Sequence, residues 1–197
     1  QLHSKYDPVE EAKKLVDTFM EFAKTDEISR DDVELNGLLA ALCAESGAGE
    51  RIAFVQRQEF NPVVSGDREQ LRRALRHLLQ NAVDATAVKG DIVMETLPAD
   101  AGLPAALPDQ NTGYVMVIIR DSGYGIAAAD MSKVFNPYYS TKDNVTCKGV
   151  GFGLPIAHNI IKRHKGIIHL DSVEGKGTVC TVFLPLQGYQ QPDRVIA

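Results

Sequence analysis

The stretch Lys148-Gly149-Val150-Gly151-Phe152-Gly153-Leu154 places three glycines at alternating positions, directly before an apolar helical pattern. Glycine allows the backbone to reach positive φ and to approach a ligand closely. The first turn of a helix leaves N–H donors without partners inside the helix and carries a partial positive charge. The stretch therefore predicts a phosphate-binding loop at a helix start. By itself it is also typical of an ordinary glycine-rich turn.

The residues around these glycines exclude two common phosphate-binding motifs. A P-loop has Lys and then Ser or Thr directly after its last glycine, whereas Leu154-Pro155 follows here. A dinucleotide-binding fold has its glycines after the first strand, much earlier in the chain. The glycine loop must therefore work with other parts of the sequence.

The clearest helix is predicted for residues 67–88, where apolar residues recur with a helical period after a capping-box pattern. His77, Asn81 and Asp84 are spaced by four and three residues, so they lie on one flank of this helix. Asn is a poor helix former. An amide oxygen that binds a hard cation is one reason for it, and a surface asparagine without a function is the alternative.

A strongly β-type run over 114–120 ends at Asp121-Ser122-Gly123-Tyr124-Gly125-Ile126. A carboxylate only accepts hydrogen bonds, so Asp121 at the end of a strand would select an amino group such as that of adenine. The alternative is a plain Asp-Ser-Gly turn.

The rest of the chain predicts alternating helices and strands, with a polar and aromatic connection of the kind that forms lids. The predicted helices are 9–24, 33–45 and 154–164; the strands are 51–60, 91–96, 167–170 and 178–184; the connections are 25–32, 62–66, 97–113 and 130–148.

Composition narrows the class further. The 197 residues are 44% hydrophobic and 24% charged with a net charge of −5, so we expect a globular protein and no nucleic-acid partner. Cys43, Cys147 and Cys180 form no CxxC pair, as is typical of reduced thiols, and we expect a cytoplasmic location. The first residue is not Met, so we interpret the chain as a piece of a longer protein, which can carry a membrane anchor elsewhere.

Five motifs in order resemble the ATP-binding domain of sensor histidine kinases, within the GHKL superfamily of ATPases and kinases. HLLQNAVDA resembles the asparagine box, DSGYGI the first glycine box, VFNPYYSTK the phenylalanine box, GVGFGLPIA the second glycine box, and EGKGTVCTVFLP the closing turn and strand. The resemblance covers about residues 33–186, and the YYSTK segment is similar to the nitrogen-regulation branch. Each motif is weak alone, but five at compatible spacings are specific.

The resemblance implies a Bergerat fold, which is a two-layer α/β sandwich with helices on one face of a mixed sheet, here preceded by an N-terminal helix. It implies a catalytic ATP-binding domain at 31–186 and a polar C-terminal tail at 187–197. Residues 1–30 would be a linker and the end of a dimerisation and phosphoacceptor hairpin, because KKLVDTFMEFAK resembles the second helix of that hairpin.

The resemblance also implies residue roles. Asn81 would coordinate the Mg²⁺ that bridges the ATP phosphates, Asp121 would accept a hydrogen bond from the adenine amino group, and Lys142 would offset γ-phosphate charge. The predicted catalytic residues are His77, Asn81 and Lys142. The predicted ATP-binding residues, among which Phe135 would anchor the lid and Thr178 would help to position adenine, are Asn81, Asp84, Asp121, Gly123, Gly125, Ile126, Phe135, Thr141, Lys142, Lys148, Gly149, Val150, Gly151, Phe152, Gly153, Leu154 and Thr178.

Two departures from the family pattern qualify these roles. His77 stands where the family has Asn or an acid, and where hydrolysing members carry a water-activating Glu; a contact with the nucleotide and neutral packing both stay open for it. His3 keeps the His-to-Pro interval of the phosphoacceptor motif, but Ser4 replaces the acid. We therefore expect the phosphoacceptor histidine outside this chain.

The function implied is an ATP-dependent protein-histidine kinase. The γ-phosphoryl group of ATP would pass to a histidine and then to a response-regulator aspartate, within a homodimer held by the N-terminal helical region. The alternatives are another GHKL-type ATPase or serine kinase, and a degenerate nucleotide-binding scaffold.

Overall fold

The computed structural model describes residues 20, 29–47, 52–55, 60–86, 90–99, 104–109, 112–137, 139 and 151–190. Within these ranges the chain forms three helices and seven strands. The helices are α1 (Leu35–Glu45), α2 (Arg68–Ala85) and α3 (Gly153–Arg163). The strands are β1 (Asp31–Glu34), β2 (Ile52–Val55), β3 (Val63–Gly66), β4 (Ile92–Pro98), β5 (Thr112–Asp121), β6 (Ile167–Val173) and β7 (Gly177–Gln190).

The strands form one mixed sheet in the order β1-β3-β7-β5-β4-β2, with β6 paired to β7. The β2–β4 pair is parallel and the other described pairs are antiparallel. The long strand β7 pairs with β5 along one side, and with β6 and then β3 along the other. The centre of the sheet is therefore the β5–β7–β6 segment, where the first glycine box begins at the end of β5 and the closing turn and strand lie in the β6–β7 turn and β7.

The three helices pack on one face of this sheet, as predicted. Alternate strand residues such as Met94, Val117 and Val182 join the apolar stripes of all three helices in one buried cluster, as expected from the two-residue period of strands. On the other face, Tyr114 and Phe183 form a separate small cluster with Leu107 of the 104–109 segment. The two-layer α/β sandwich predicted from the sequence is confirmed.

The ends of α2 and α3 are fixed to each other by a buried histidine. The Nε2 atom of His164 accepts a hydrogen bond from the backbone N–H of Asp67 at 3.0 Å. Its Nδ1 atom lies 2.8 Å from the carbonyl oxygen of Ile160, to which the neutral imidazole donates. A Cβ at Gly66 would lie 2.5 Å from the His164 ring. The N-cap residue of α2 and the end of α3 are thus hydrogen-bonded and closely packed.

The structure differs from the sequence prediction at the edge of the sheet. The sequence predicts a polar turn at 31–32, the start of a helix at 33–34 and a break at 63–66, but these residues form β1 and β3, which pair with each other. Helix α1 begins at Leu35 rather than at residue 33, because Glu34 caps it by accepting a hydrogen bond from the Gly37 N–H at 2.9 Å. Tertiary pairing decides short segments whose local pattern is weak.

The last strand is longer than expected. β7 continues past Pro185 to Gln190, although the sequence predicts its end at residue 184. Pro185 lies opposite Tyr114, beside the irregularity in register between Thr112 and Tyr114. A proline cannot donate to a regular ladder, and an irregularity is where a strand accommodates one.

Several predictions fall outside the described residues. Apart from Met20, which is helical, the predicted helix at 9–24 lies there. The proposed domain limits at 30 and 186 stay predictions. Within the described part of the chain, no helix is long and apolar enough to cross a membrane.

Candidate functional site

A cavity of about 1030 Å³ lies between α2, the start of α3, the loop after β5 and the centre of the sheet. Eleven of the predicted site residues line it: His77, Asn81, Asp84, Asp121, Gly125, Ile126, Gly151, Phe152, Gly153, Leu154 and Thr178. Motifs that are far apart in the sequence therefore meet at one concave site.

The α2 wall carries the residues of the asparagine box. His77, Asn81 and Asp84 all line the cavity, as their spacing along the helix predicts. Gln80 donates a hydrogen bond to Asp84 at 2.7 Å. A Cβ at Gly153 would lie 3.4 Å from the Nδ1 atom of His77. The flank of α2 therefore meets the N-terminus of α3 at His77.

The floor of the cavity is built from two rows of cross-strand neighbours. In one row, Thr178 of β7 lies opposite Asp121 of β5 and Ser172 of β6. In the other row, Cys180 lies opposite Ile119 and Leu170. Of these six residues, all except Ser172 line the cavity.

Asp121 is a buried residue whose carboxylate accepts two backbone hydrogen bonds. The residue is 8% exposed, and its Oδ1 atom accepts from the backbone N–H groups of Gly123 at 2.9 Å and Thr178 at 3.2 Å. Burial raises the pKa of Asp121, and the two backbone hydrogen bonds oppose that rise. Among the described residues no hydrogen bond uses Oδ2. The free acceptor can bind an amino group or a water.

The glycines of the DSGYGI motif are needed for close backbone packing. A Cβ at Gly123 would lie 2.5 Å from the carbonyl oxygen of Ala85. Gly125 has φ +67°, and a Cβ there would lie 2.1 Å from the carbonyl oxygen of Val173. The motif therefore packs closely between the end of α2 and the β6–β7 turn. Gly125 lines the cavity and Gly123 does not; the contact of either glycine with an adenine base stays a prediction.

The described part of the second glycine box forms the opposite end of the cavity. Gly151 has φ +75°, a left-handed conformation that glycine adopts without strain. Helix α3 begins two residues later, and its N-cap residue Phe152 makes no side-chain capping hydrogen bond. The helix start can therefore offer backbone N–H groups to an anion. Thr141, Lys142, Lys148, Gly149 and Val150 lie outside the described residues, so their roles stay predictions.

The described part of the lid borders the cavity but does not place Phe135 in its lining. Phe135 packs against His158 of α3, with ring centroids 5.0 Å apart. Val134 and Tyr139 line the cavity instead, together with Asp130. A hydrogen bond from the Tyr139 side chain is the main reason that the pKa of Asp130 is lowered. The predicted anchoring role of Phe135 stays a prediction.

Sequence reasoning missed several lining residues. Leu170, outside the five motifs, and Cys180, inside the closing motif EGKGTVCTVFLP, reach the cavity as cross-strand neighbours. Burial raises the pKa of the Cys180 thiol to about 12. Tyr124 and Glu174 also line the cavity. Tyr124 lies inside the DSGYGI motif and its carbonyl accepts a hydrogen bond from Gly175 at 2.7 Å, so the motif itself was the available signal.

The residues present fit a magnesium ion that is held mainly by phosphates. Asn81 supplies a hard amide oxygen at an exposed position in the cavity wall. No group of three or more His, Cys, Asp or Glu side chains among the described residues is arranged to hold a metal ion. Mg²⁺ often keeps few protein ligands and completes its shell with phosphate oxygens and water, so a single Asn at this position is compatible with it.

The fold and cavity define a class of α/β sandwich that binds a nucleotide between an asparagine-bearing helix, an Asp-Gly loop and a glycine-rich helix start. Residues 66–188 match the family described as histidine kinase-, DNA gyrase B- and HSP90-like ATPase. Because this match covers more than half of the chain, the chain belongs to that family. The resemblance stated from the five motifs is confirmed, and the domain is an ATP-binding domain of the histidine-kinase type.

Similar proteins carry the same kind of description. The sensor histidine kinase ZraS of Salmonella typhi is 29% identical over 182 residues, which cover 90% of this chain and 36% of ZraS. The signal transduction histidine-protein kinase AtoS of Escherichia coli is 29% identical over 189 residues, which cover 92% of this chain and 28% of AtoS. The nucleotide-free catalytic domain of histidine kinase ThkA has a TM-score of 0.62 and 27% identity, covering 81% of this chain and 96% of that domain. The chain spans about a third of the length of ZraS and AtoS.

Proposed function

We propose that this chain is the catalytic part of a sensor histidine kinase, which binds Mg²⁺ and ATP and transfers the γ-phosphoryl group to a histidine. The observation that carries the proposal is the cavity itself, which brings together the Asp121 carboxylate, the amide of Asn81 and the start of α3. The Oδ2 atom of Asp121 has no hydrogen-bond partner among the described residues. Phosphoryl transfer depends mainly on positioning and on offsetting charge, and these groups supply both.

The adenine base would lie over the sheet floor, with its amino group toward Asp121 and Thr178. The triphosphate would lie at the start of α3, where backbone N–H groups and the helix dipole favour negative charge. Asn81 would bind the Mg²⁺ that bridges the phosphates. His77 lies against Gly153 at this end of the cavity, so it is placed for a contact with the phosphates or with a metal-bound water.

The charge of the cavity supports a role for magnesium and for the lysines of the lid. The described lining carries four carboxylates and no lysine or arginine: Asp84, Asp121, Asp130 and Glu174. A triphosphate in such a cavity needs a counter-charge, because like charges at short range repel. Mg²⁺ supplies part of it, and Lys142 and Lys148, which precede the start of α3 in the sequence, are the proposed source of the rest.

The kind of relatives supports a proposal for the acceptor and the partners. ZraS and AtoS are described as sensor and signal transduction histidine kinases. Together with the resemblance of residues 13–24 to the second helix of the hairpin, these descriptions support the proposal that the phosphoacceptor histidine lies outside residues 1–197 and that a response-regulator aspartate receives the phosphoryl group. In this proposal the protein acts as a homodimer through its N-terminal helical region. The catalytic part works in the cytoplasm, where ATP is available.

The test uses the full-length protein with γ-³²P-labelled ATP and Mg²⁺. We expect a protein-bound label that is stable in alkali and lost in acid, as a phosphohistidine is, and that chases onto a receiver domain. An Arg76→Ala variant is the matched control, because Arg76 lies exposed on the same helix as Asn81 and outside the cavity lining. Steady phosphate release without labelled protein would contradict the proposal, as would equal labelling of wild type and Asn81→Ala.

A further inference from the structure

Ser172 of β6 is a hydroxyl that the motif reading did not select, yet it contacts two elements of the proposed adenine site. Its Oγ atom accepts a hydrogen bond from the backbone N–H of Ile126 at 2.8 Å. It also lies 3.0 Å from the carbonyl oxygen of Gly177 and 2.9 Å from the Oγ1 atom of Thr178. Ser172 therefore joins the end of the DSGYGI motif to the start of β7, directly beside Thr178 of the cavity floor.

The hydroxyl of Ser172 has one proton for two of these contacts. If it donates that proton to the Gly177 carbonyl, the contact with Thr178 requires Thr178 to donate to Ser172. All three contacts are then hydrogen bonds. If Ser172 instead donates to Thr178, the Gly177 carbonyl loses its donor and only two remain. The first arrangement is favoured because a hydroxyl proton rotates to satisfy the larger number of partners.

The favoured arrangement decides what Thr178 can offer to a ligand. Its own proton is used on Ser172, so the Thr178 hydroxyl presents only lone pairs to the cavity that it lines. Its cross-strand neighbour Asp121 also presents an acceptor, Oδ2. Two adjacent acceptors fit an exocyclic amino group or an ordered water that donates to both, and they repel a carbonyl oxygen.

We propose that Ser172 is a positioning residue for base selection, which holds the Thr178 hydroxyl as an acceptor beside Asp121 and so favours adenine over guanine. The inference rests on the proposed function, since it requires the base to lie at Asp121. Adenine carries an amino group at the position where guanine carries a carbonyl oxygen. Without Ser172, the Thr178 hydroxyl can rotate and donate to that carbonyl, so the discrimination falls.

The experiment measures Kd for Mg·ADP and Mg·GDP by titration calorimetry, with the wild-type chain and with Ser172→Ala. The ratio of the GDP Kd to the ADP Kd is expected to fall by about threefold to tenfold in the variant, which is the effect of one redirected hydrogen bond. Ser172→Thr keeps the hydroxyl and should restore the ratio. Ser122→Ala is the matched control, because Ser122 is a second serine near the site whose hydroxyl is hydrogen-bonded to the backbone of Asp91; its ratio should stay at the wild-type value.

A double-mutant cycle separates positioning from general stabilisation. If Ser172 acts through Thr178, then Ser172→Ala should leave the ratio unchanged in a Thr178→Val background. A wild-type ratio in Ser172→Ala, or an equal fall in the Thr178→Val background, would overturn the inference. If Ser172→Ala does not fold by circular dichroism, Thr178→Val alone must lower the ratio, and a wild-type ratio there would overturn it too.

The proposed function and this inference fail in different ways. If the wild-type chain binds neither nucleotide, or binds both equally, the adenine-site assignment at Asp121 is wrong. If the wild type prefers ADP and Ser172→Ala keeps that preference, only the role of Ser172 is wrong.

Discussion

Replacing His164 by Ala tests the contact that joins the start of α2 to the end of α3, outside the cavity lining. His164 is 6% exposed, and the change leaves the Asp67 N–H without its acceptor at 3.0 Å. An unsatisfied buried donor costs about 1–3 kcal/mol, and the lost ring leaves space among packed residues. We expect these two effects to lower the free energy of unfolding by about 2–4 kcal/mol, which is a large part of the stability of a domain of this size.

We also expect His164→Ala to change how the free energy of unfolding depends on pH. Burial lowers the pKa of His164, so the folded protein resists protonation that the unfolded chain accepts near pH 6.5. The unfolded state therefore binds more protons as the pH falls below about 6.5, and stability is lost from there down to the folded pKa. The wild type should therefore lose part of its free energy of unfolding when the pH is lowered from 8 to 5. His164→Ala should lose less, with a residual slope to which His158 contributes, because its pKa is also lowered by burial.

The assay is urea unfolding followed by circular dichroism at pH 8 and pH 5, with the free energy extrapolated to water. His169→Ala is the control, because His169 is an exposed histidine whose partner Asp171 is also exposed, and surface pairs contribute about 0–1 kcal/mol. If His164→Ala is as stable as His169→Ala at pH 8, the buried contact does not hold the helices. An unchanged pH dependence would refute the titration argument.

Three further changes test the cavity. Asn81→Ala should reduce Mg·ATP affinity to the level measured without Mg²⁺, whereas an unchanged response to Mg²⁺ in calorimetry would contradict the metal role. Asp121→Asn should weaken ATP and reduce the preference for ATP over GTP by about tenfold to a hundredfold, as for a lost charged hydrogen bond; a normal preference would contradict the amino-group contact. Cys180 should react with iodoacetamide far more slowly in the folded protein at pH 7.5 than in urea, because its pKa is raised to about 12; equal rates by peptide mass spectrometry would contradict its burial.

The sequence predicts the long elements and the site motifs well for physical reasons. Helix α2 has a strong apolar period and a capping residue, and its observed cap is Asp67, which accepts from the Gln70 N–H at 2.9 Å. The run before Asp121 is apolar and rich in β-branched residues, and it forms β5. The glycine-rich start of α3 is predicted to within one residue. In each case the local pattern and the tertiary packing favour the same structure.

The parts that could not be predicted depend on contacts between distant residues. β1 and β3 have only four residues each, and they are stabilised by pairing with each other and, for β3, with β7. Cys180, Leu170 and Ser172 take their places from the register of β6, β7 and β5. Register is set by the packing of whole strands, so a motif search finds Asp121 and Thr178 but does not show which other residues lie beside them.

The placement of adenine at Asp121 and of the phosphates at the start of α3 is the central claim. A crystal structure of the chain with Mg·ADP tests it most directly. We predict the adenine amino group within about 3 Å of the Asp121 carboxylate or joined to it by one water, and the phosphates at the backbone N–H groups that begin α3. A nucleotide bound elsewhere, or bound in this cavity with its base at α3 and its phosphates at Asp121, would contradict the account.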